Sequence, residues 1–174
     1  MRSIASYLPA VLLLAAGLNC GDDQQGPSAD GPPFFTATID GVVWPPDDFV
    51  ALLTQDIRST QTGVRLEARR NLDDGGSETL FISLFTPDPF SLTSYRLTTG
   101  GAGEAAGFFQ QVPNPPDPEV IFSTGEEHTG TLRITGANTT DSVVSGLFAF
   151  EAEDGLTGEV RQFRGEFRVR YEVD

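Results

Sequence analysis

Hydrophobic and polar residues alternate along most of the chain that follows residue 33. The longest alternating run occupies residues 161–173, where Arg and Glu fill most positions between the apolar ones. A period of two places every second side chain on the same face, so this run predicts a half-buried strand. Gly165 occupies an inward position, which predicts a bulge or a close backbone approach. The other predicted inward positions are Phe163, Phe167, Val169, Tyr171 and Val173.

Nine further segments show strand patterns and are separated by residues typical of turns. Asp40-Gly41 stands between two apolar runs and predicts a two-residue hairpin. Residues 79–85 are apolar on both faces in places, which predicts a central strand. The nine predicted strands cover residues 34–39, 42–44, 63–70, 79–85, 94–98, 106–112, 120–124, 129–135 and 143–152.

Residues 49–57 fit two interpretations. Phe49, Leu52 and Leu53 have helical spacing, and Asp47 or Asp48 could cap the first turn of a helix. A strand fits the same residues equally well, so the pattern leaves this element open.

The pattern as a whole predicts an all-β fold. About eight to ten strands joined mostly by short turns favour an antiparallel β-sandwich or barrel. Parallel strands need a crossover connection, which is usually a helix, and no segment has the pattern of one. The length of 174 residues favours one domain, which we place at residues 34–174.

The first nineteen residues have the pattern of a secretory signal peptide. Arg2 is followed by an apolar stretch whose densest part covers residues 10–18. Ser6 and Pro9 interrupt this stretch, and its length falls short of the roughly 20 apolar residues that span a bilayer. We therefore expect residues 1–19 to direct export and to be removed.

Cys20 is the only cysteine and stands where the apolar stretch ends. In this position it resembles the lipidated cysteine of bacterial lipoprotein precursors, which predicts attachment to a lipid bilayer through acylated Cys20. The alternative is cleavage after Gly17 by ordinary signal peptidase, with Ala15 and Gly17 as the small residues. Cys20 would then be a free thiol. A single cysteine excludes an intramolecular disulfide.

Residues 20–33 are rich in Gly, Pro, Asp, Gln and Ser, without apolar periodicity. This composition predicts a flexible acidic tether between the lipid and the β domain. Gly21-Asp22-Asp23 resembles the surface-export signal of Bacteroidetes-type lipoproteins, although a polar tether would have the same composition. The sequence leaves the periplasmic and surface faces of the outer membrane open.

The net charge limits the classes of partner. Asp and Glu number 25 against 11 basic residues, all of them Arg, which gives a formal charge of −14. Binding to nucleic acid needs clustered cations for the phosphates, so we expect no nucleic-acid partner. A solvated acidic surface explains this charge most simply, and the alternatives are a cation site or a basic partner.

Few residues have the pattern of a catalytic or metal site. Trp44 is predicted to anchor the core, and His128, the single His, to lie in a surface turn. No Gly-x-Ser-x-Gly motif is present, and we expect no catalytic residue, cofactor or metal ligand. The acidic pairs predict turns, with a Ca²⁺ site and a two-carboxylate hydrolase as weaker alternatives. These pairs are Asp47-Asp48, Asp73-Asp74, Glu126-Glu127 and Glu153-Asp154.

Two pairs of adjacent aromatic residues, Phe34-Phe35 and Phe108-Phe109, are further candidates. If both members of a pair lay outside, they could form a binding patch. The simpler expectation buries one member of each pair.

Five strand and turn motifs run through the predicted β domain. They are F-x-A-x-x-D-G-x-x-W, Y-x-L, G-x-L-x-I-T, V-S-G-x-F-x-F-x-A and G-x-F-x-V-x-Y, at residues 35–44, 95–97, 130–135, 144–152 and 165–171. Together they resemble those of a family of small Bacteroidetes-type lipoproteins of uncharacterised function. The resemblance implies a lipid-anchored β domain and supplies no catalytic residues.

These observations predict a lipid-anchored envelope protein that binds a glycan or a protein outside the cytoplasm without catalysis. The alternative is an accessory envelope protein without a specific ligand. An exposed groove lined with aromatic residues would favour binding, whereas a featureless charged surface would favour the accessory role.

Overall fold

The computed structural model describes residues 25–55, 62–98, 105–114 and 118–173. It contains eleven strands in this part of the chain and no helix, which confirms the predicted all-β class. The strands are β1 (Phe34–Ile39), β2 (Val42–Trp44), β3 (Asp48–Gln55), β4 (Thr62–Asn71), β5 (Ser77–Thr86), β6 (Ser94–Leu97), β7 (Ala105–Val112), β8 (Val120–Ser123), β9 (Gly130–Asn138), β10 (Val143–Asp154) and β11 (Val160–Val173).

The strand pairings close into a ring. The ring runs β11, β3, β4, β5, β7, β6, β9, β10 and back to β11. Hairpin β1–β2 extends from β11, and β8 links β7 to β10. Pairings β11–β3 and β6–β7 are parallel, and the other pairings of the described strands are antiparallel. The fold is therefore a single, mainly antiparallel sheet closed on itself, and β5 lies centrally between β4 and β7.

The two-residue hairpin at Asp40-Gly41 forms as predicted. Ile39 pairs with Val42 across the turn, and φ is 53° at Asp40 and 79° at Gly41. Positive φ at both central residues is typical of a type I′ turn, whose twist matches that of the flanking strands.

Residues 48–55 form strand β3, which settles the ambiguity between helix and strand for that part of 49–57. Asp48 pairs with Arg69 of β4, and Ala51 pairs with Tyr171 of β11. The strand thus has a hydrogen-bonded neighbour on each side. Residues 56 and 57 lie outside the described residues.

The core fills the interior of the ring with side chains from alternate positions. Phe163 lies at its centre and is fully buried. Its ring centroid is 4.8 Å from that of Phe150 and 5.3 Å from that of Phe109. Buried aromatic pairs of this kind contribute about 0.5–1.5 kcal/mol each beyond their area.

Gly165 occupies an inward position of β11 that has no room for a side chain. A Cβ at this position would overlap the carbonyl oxygen of Thr36 and the ring of Phe148. The predicted close backbone approach is therefore present, with β1 on one side and β10 on the other.

Residues 25–33 form an irregular segment, which we call the strap, on the outer face of β9, β10 and β11. The carbonyl oxygen of Pro27 accepts hydrogen bonds from Thr135 Oγ1 at 2.6 Å and Ser145 Oγ at 2.7 Å. Arg168 Nε donates to the carbonyl oxygen of Ser28 at 2.7 Å, and its Nη1 donates to that of Pro32 at 3.2 Å. The strap thus lies in contact with three strands.

Candidate binding groove

An open groove of about 300 Å³ lies on the outer face of β4, β5, β7 and β8. Its lining combines aromatic, aliphatic and hydrogen-bonding side chains. Small-ligand sites combine apolar walls with a few polar groups that fix orientation, and this lining has that composition. The lining residues are Arg65, Phe81, Ser83, Phe108, Gln110 and Ile121.

Strand alternation and register bring these side chains together. On β5, Leu80, Ile82 and Leu84 point into the core, so Phe81 and Ser83 point outward. Phe81 lies opposite Phe108 of β7 in the pairing of the two strands. The remaining opposed pairs are Arg65 with Ser83 and Gln110 with Ile121.

Arg65 is held in place at the groove. Its guanidinium carbon lies 4.3 Å from the centroid of the Phe81 ring, and its Nη2 lies 3.3 Å from Oε2 of Glu67. A cation over an exposed ring contributes about 0.5–1 kcal/mol, and an exposed ion pair up to about 1 kcal/mol. The Arg65 side chain remains 48% exposed, so its other N–H groups can bind a ligand.

Two carboxylates lie close to the groove residues Arg65 and Gln110. Glu67 contacts Arg65, and Glu119 accepts a hydrogen bond from Nε2 of Gln110. The groove thus offers both donors and acceptors, without an excess of positive charge.

Further apolar side chains continue the surface around the groove. Ile121 is 47% exposed, and Val112 at the end of β7 is 40% exposed. Phe85 points outward from β5 and is 47% exposed, but it does not line the groove. Such a patch beside a groove is typical of an interaction site.

The aromatic pairs and Trp44 lie as the simpler expectations predicted. Phe35 and Phe109 are buried, whereas Phe34 and Phe108 are partly exposed on the outer face. Trp44 is 3% exposed and belongs to the core. Within the described residues, the outward aromatic partner of Phe108 is Phe81 of the neighbouring strand, which the sequence did not single out.

His128 lies between β8 and β9, with its side chain 24% exposed. Its Nδ1 is 3.8 Å from Oε2 of Glu151, and its Nε2 is 3.5 Å from Oε2 of Glu153. Nδ1 is buried and makes no hydrogen bond. The described residues include no group of three His, Cys, Asp or Glu that could hold a metal ion.

Three of the four acidic pairs accept hydrogen bonds from backbone amides. Asp74 Oδ1 accepts from the amide of Gly76, two positions away, which stabilises a turn. Asp47 Oδ2 accepts from the amide of Asn71 at the end of β4, 24 positions away. These contacts need no ligand. Glu126 and Glu127 are exposed beside His128.

Asp154 organises the turn between β10 and β11. Its Oδ2 accepts a hydrogen bond from the hydroxyl of Thr157 at 2.6 Å, and its Oδ1 accepts from the amide of Leu156 at 3.1 Å. The Thr157 hydroxyl, followed by the Leu156 amide, lowers the pKa of Asp154 below its ordinary value. These two hydrogen bonds give the Asp154 carboxylate a structural role in the turn.

The predicted signal peptide 1–19, the lipid attachment site Cys20 and the motif Gly21-Asp22-Asp23 lie outside the described residues. Among the residues that are described, no helix has the length and apolar character needed to cross a membrane. Comparisons of the chain with family models, curated proteins and solved structures found no match. The groove is therefore the feature from which we infer a function.

Proposed function

We propose that the chain is a lipid-anchored envelope protein whose β domain binds a neutral glycan outside the cytoplasm. One observation carries this proposal: Phe108 and Phe81 lie side by side in an outer groove, next to the fixed guanidinium of Arg65. The proposal assigns no catalytic residue to the chain.

The groove matches the two kinds of surface that a pyranose presents. The C–H groups of a sugar face pack on an aromatic ring, and the partly exposed Phe108 supplies such a ring. Sugar hydroxyls both donate and accept hydrogen bonds. Arg65 can donate to them, and Glu67 can accept from them, in addition to the contact that these two residues share.

Electrostatics favours a neutral glycan over an acidic one. Among the described residues that line the groove, Arg65 is the single cation, and its charge is balanced by Glu67 at 3.3 Å. The chain as a whole carries a formal charge of −14, which repels anionic ligands at low ionic strength. A hydroxyl-rich ligand without carboxylate groups avoids this repulsion.

The groove also favours a binding role over an accessory one. An accessory envelope protein without a specific ligand needs no groove, and its surface can be charged throughout. An open, partly aromatic groove supports a ligand-binding role instead.

A glycan panel tests the ligand class. Wild type should bind at least one neutral oligosaccharide, and the matching uronate should bind more weakly. Phe108→Ala should lower the affinity at least about tenfold, which corresponds to about 1.4 kcal/mol. Phe85→Ala is the matched control, because it removes an outward Phe from β5 outside the groove lining. An equal loss in both variants, or no binding to any neutral glycan, would refute the proposed ligand.

The proposed anchor rests on the signal-peptide pattern, on the position of Cys20 and on the resemblance to small Bacteroidetes-type lipoproteins. Metabolic labelling with a fatty-acid analogue tests it directly. Wild type should incorporate the label, and Cys20→Ala should not. Equal labelling of the two proteins would eliminate Cys20 as the attachment site.

A further inference from the structure

We infer that the outer face formed by β6 and β9 lies against the lipid bilayer, so that Arg65 and Phe81 of the glycan groove stay on the side of the ring away from the membrane. This inference rests on the proposed lipid attachment at Cys20. It adds an orientation and a membrane-contacting surface, neither of which follows from lipidation alone.

The strap determines where the chain leaves the domain. Its first residues lie against β9 and β10, because a Cβ at Gly26 would lie 2.6 Å from Cγ2 of Thr135 in β9, and the Pro27 carbonyl oxygen accepts hydrogen bonds from Thr135 and from Ser145 of β10. Gly136 allows this contact, since a Cβ there would lie 2.5 Å from the amide nitrogen of Ala29. The strap is thus held on one side of the ring.

The remaining connection to the lipid is short. Five residue steps separate Cys20 from Gln25, and they span at most about 18 Å. A tether that was free over the whole of residues 20–33 would reach about 45 Å. Neighbouring strands are about 4.8 Å apart, so a reach of about 18 Å covers fewer than four strand spacings and stops short of β4, which lies four strands from β9 around the ring.

The surface beside this exit point differs in charge from the rest of the chain. Strands β6 and β9 carry the exposed Arg96 and Arg133 and contain no Asp or Glu, although the chain carries −14 overall. Cationic side chains at this position complement the phosphates of lipid headgroups.

An exposed leucine lies at the same place. Leu92 is 67% exposed and directly precedes Thr93, whose carbonyl oxygen accepts a hydrogen bond from the amide of Ile134 in β9. An apolar side chain next to two Arg residues suits the boundary between headgroups and acyl chains.

The ring order places the β4 side of the groove farthest from β9. Strand β4 is four strands from β9 in either direction, through β6, β7 and β5 or through β10, β11 and β3. Strand β7 of the groove pairs with β6 at Ala105, three positions before Phe108. A bilayer at β6–β9 therefore leaves Arg65 of β4 and Phe81 of β5 open to ligand.

The single cysteine provides a direct test. The mature chain can be coupled through Cys20 to maleimide-bearing lipid in phosphatidylcholine vesicles, and side-chain accessibility can be mapped by hydroxyl-radical footprinting. Compared with the uncoupled chain mixed with the same vesicles, Leu92 should lose most of its oxidation. Phe85, which points outward from β5, should keep its oxidation. Protection of Phe85, or equal oxidation of Leu92 in both samples, would overturn the inference.

A second variant tests whether the strap sets the orientation of the domain on the bilayer. A long Gly/Ser insertion between residues 24 and 25 should restore oxidation of Leu92 in the coupled chain, because the domain is then free to turn. Continued protection of Leu92 would show that the strap does not set the orientation. The lipid is attached to Cys20 chemically in this experiment, so the footprinting result does not depend on acylation in the cell. Acylation in the cell is tested separately by metabolic labelling.

Discussion

The indole nitrogen of Trp44 donates a hydrogen bond to Oε2 of Glu78 at 2.7 Å, which links β2 to β5. These two strands are not neighbours in the sheet, so this side-chain bond crosses the end of the ring. The Trp44 ring also packs edge-on against Phe109, with the centroids 6.1 Å apart. Hairpin β1–β2 is thereby attached to the core at a second point, in addition to its pairing with β11.

Removing the acceptor tests this attachment. Glu78→Ala leaves a buried indole N–H without a partner and should lower the free energy of unfolding by about 1–3 kcal/mol. Urea unfolding followed by the fluorescence of Trp44, the single Trp, measures the change. Glu78→Gln should restore most of the loss, because its amide oxygen can accept the same bond. The exposed Glu166→Ala should change stability by less than about 0.5 kcal/mol. Equal midpoints for Glu78→Ala and wild type would contradict the assigned role.

The lowered pKa of Asp154 predicts a pH-dependent effect at the turn between β10 and β11. The Thr157 hydroxyl lowers the folded-state pKa below the unfolded value of about 3.8. The interaction therefore stabilises the folded state above that value, and the contribution is lost as pH falls through the lower folded-state pKa.

Thr157→Ala should accordingly destabilise the domain at neutral pH and have a smaller effect in acid below the folded-state pKa of Asp154. Denaturant unfolding of wild type and variant at both pH values gives the comparison. The matched control is Thr131→Ala, an exposed Thr that lies outside this turn. A Thr157→Ala effect that is the same at both pH values would show that the Asp154 carboxylate is not involved.

Arg168 should hold the strap in position. It donates to the carbonyl oxygens of Ser28 and Pro32, and its guanidinium carbon lies 5.1 Å from the centroid of the Phe34 ring. Backbone NMR relaxation should give order parameters of about 0.85 for the strap in wild type and below about 0.6 in Arg168→Ala. Arg164→Ala, on the same face of β11, should leave the strap ordered. A strap that is already flexible in wild type would refute this role.

Local patterns were sufficient to predict much of the sheet. Alternation along β11 placed Phe163, Phe167, Val169 and Tyr171 inward, and all four are buried. The Asp40-Gly41 turn was predictable because positive φ at two successive positions restricts the residues that can occupy them. In both cases the deciding physics acts between near neighbours in the sequence.

Strand β3 shows where local pattern is insufficient. Phe49, Leu52 and Leu53 are spaced as in a helix, but strand pairing with β4 and β11 determines the outcome. Strand preference depends strongly on the neighbours that a segment receives in the folded sheet. The parallel partner β11 is more than 100 positions away, so the sequence near β3 does not reveal it.

The groove and the strap depend on contacts over long separations in sequence. Arg65, Phe81 and Phe108 come from three strands, and their proximity depends on the register of β4 with β5 and of β5 with β7. Ser145 contacts Pro27 across 118 positions. Alternation predicted that Arg65 points outward, but it gave no information on which residues of other strands lie beside it.

The ligand site itself is tested most directly by NMR. Amide resonances of the mature chain are followed during titration with the strongest neutral oligosaccharide from the glycan panel. The account predicts saturable shifts centred on Arg65, Phe81 and Phe108, with small changes at the strap and at hairpin β1–β2. Shifts centred on hairpin β1–β2 or on the turn at His128, with the groove unchanged, would contradict the proposed site.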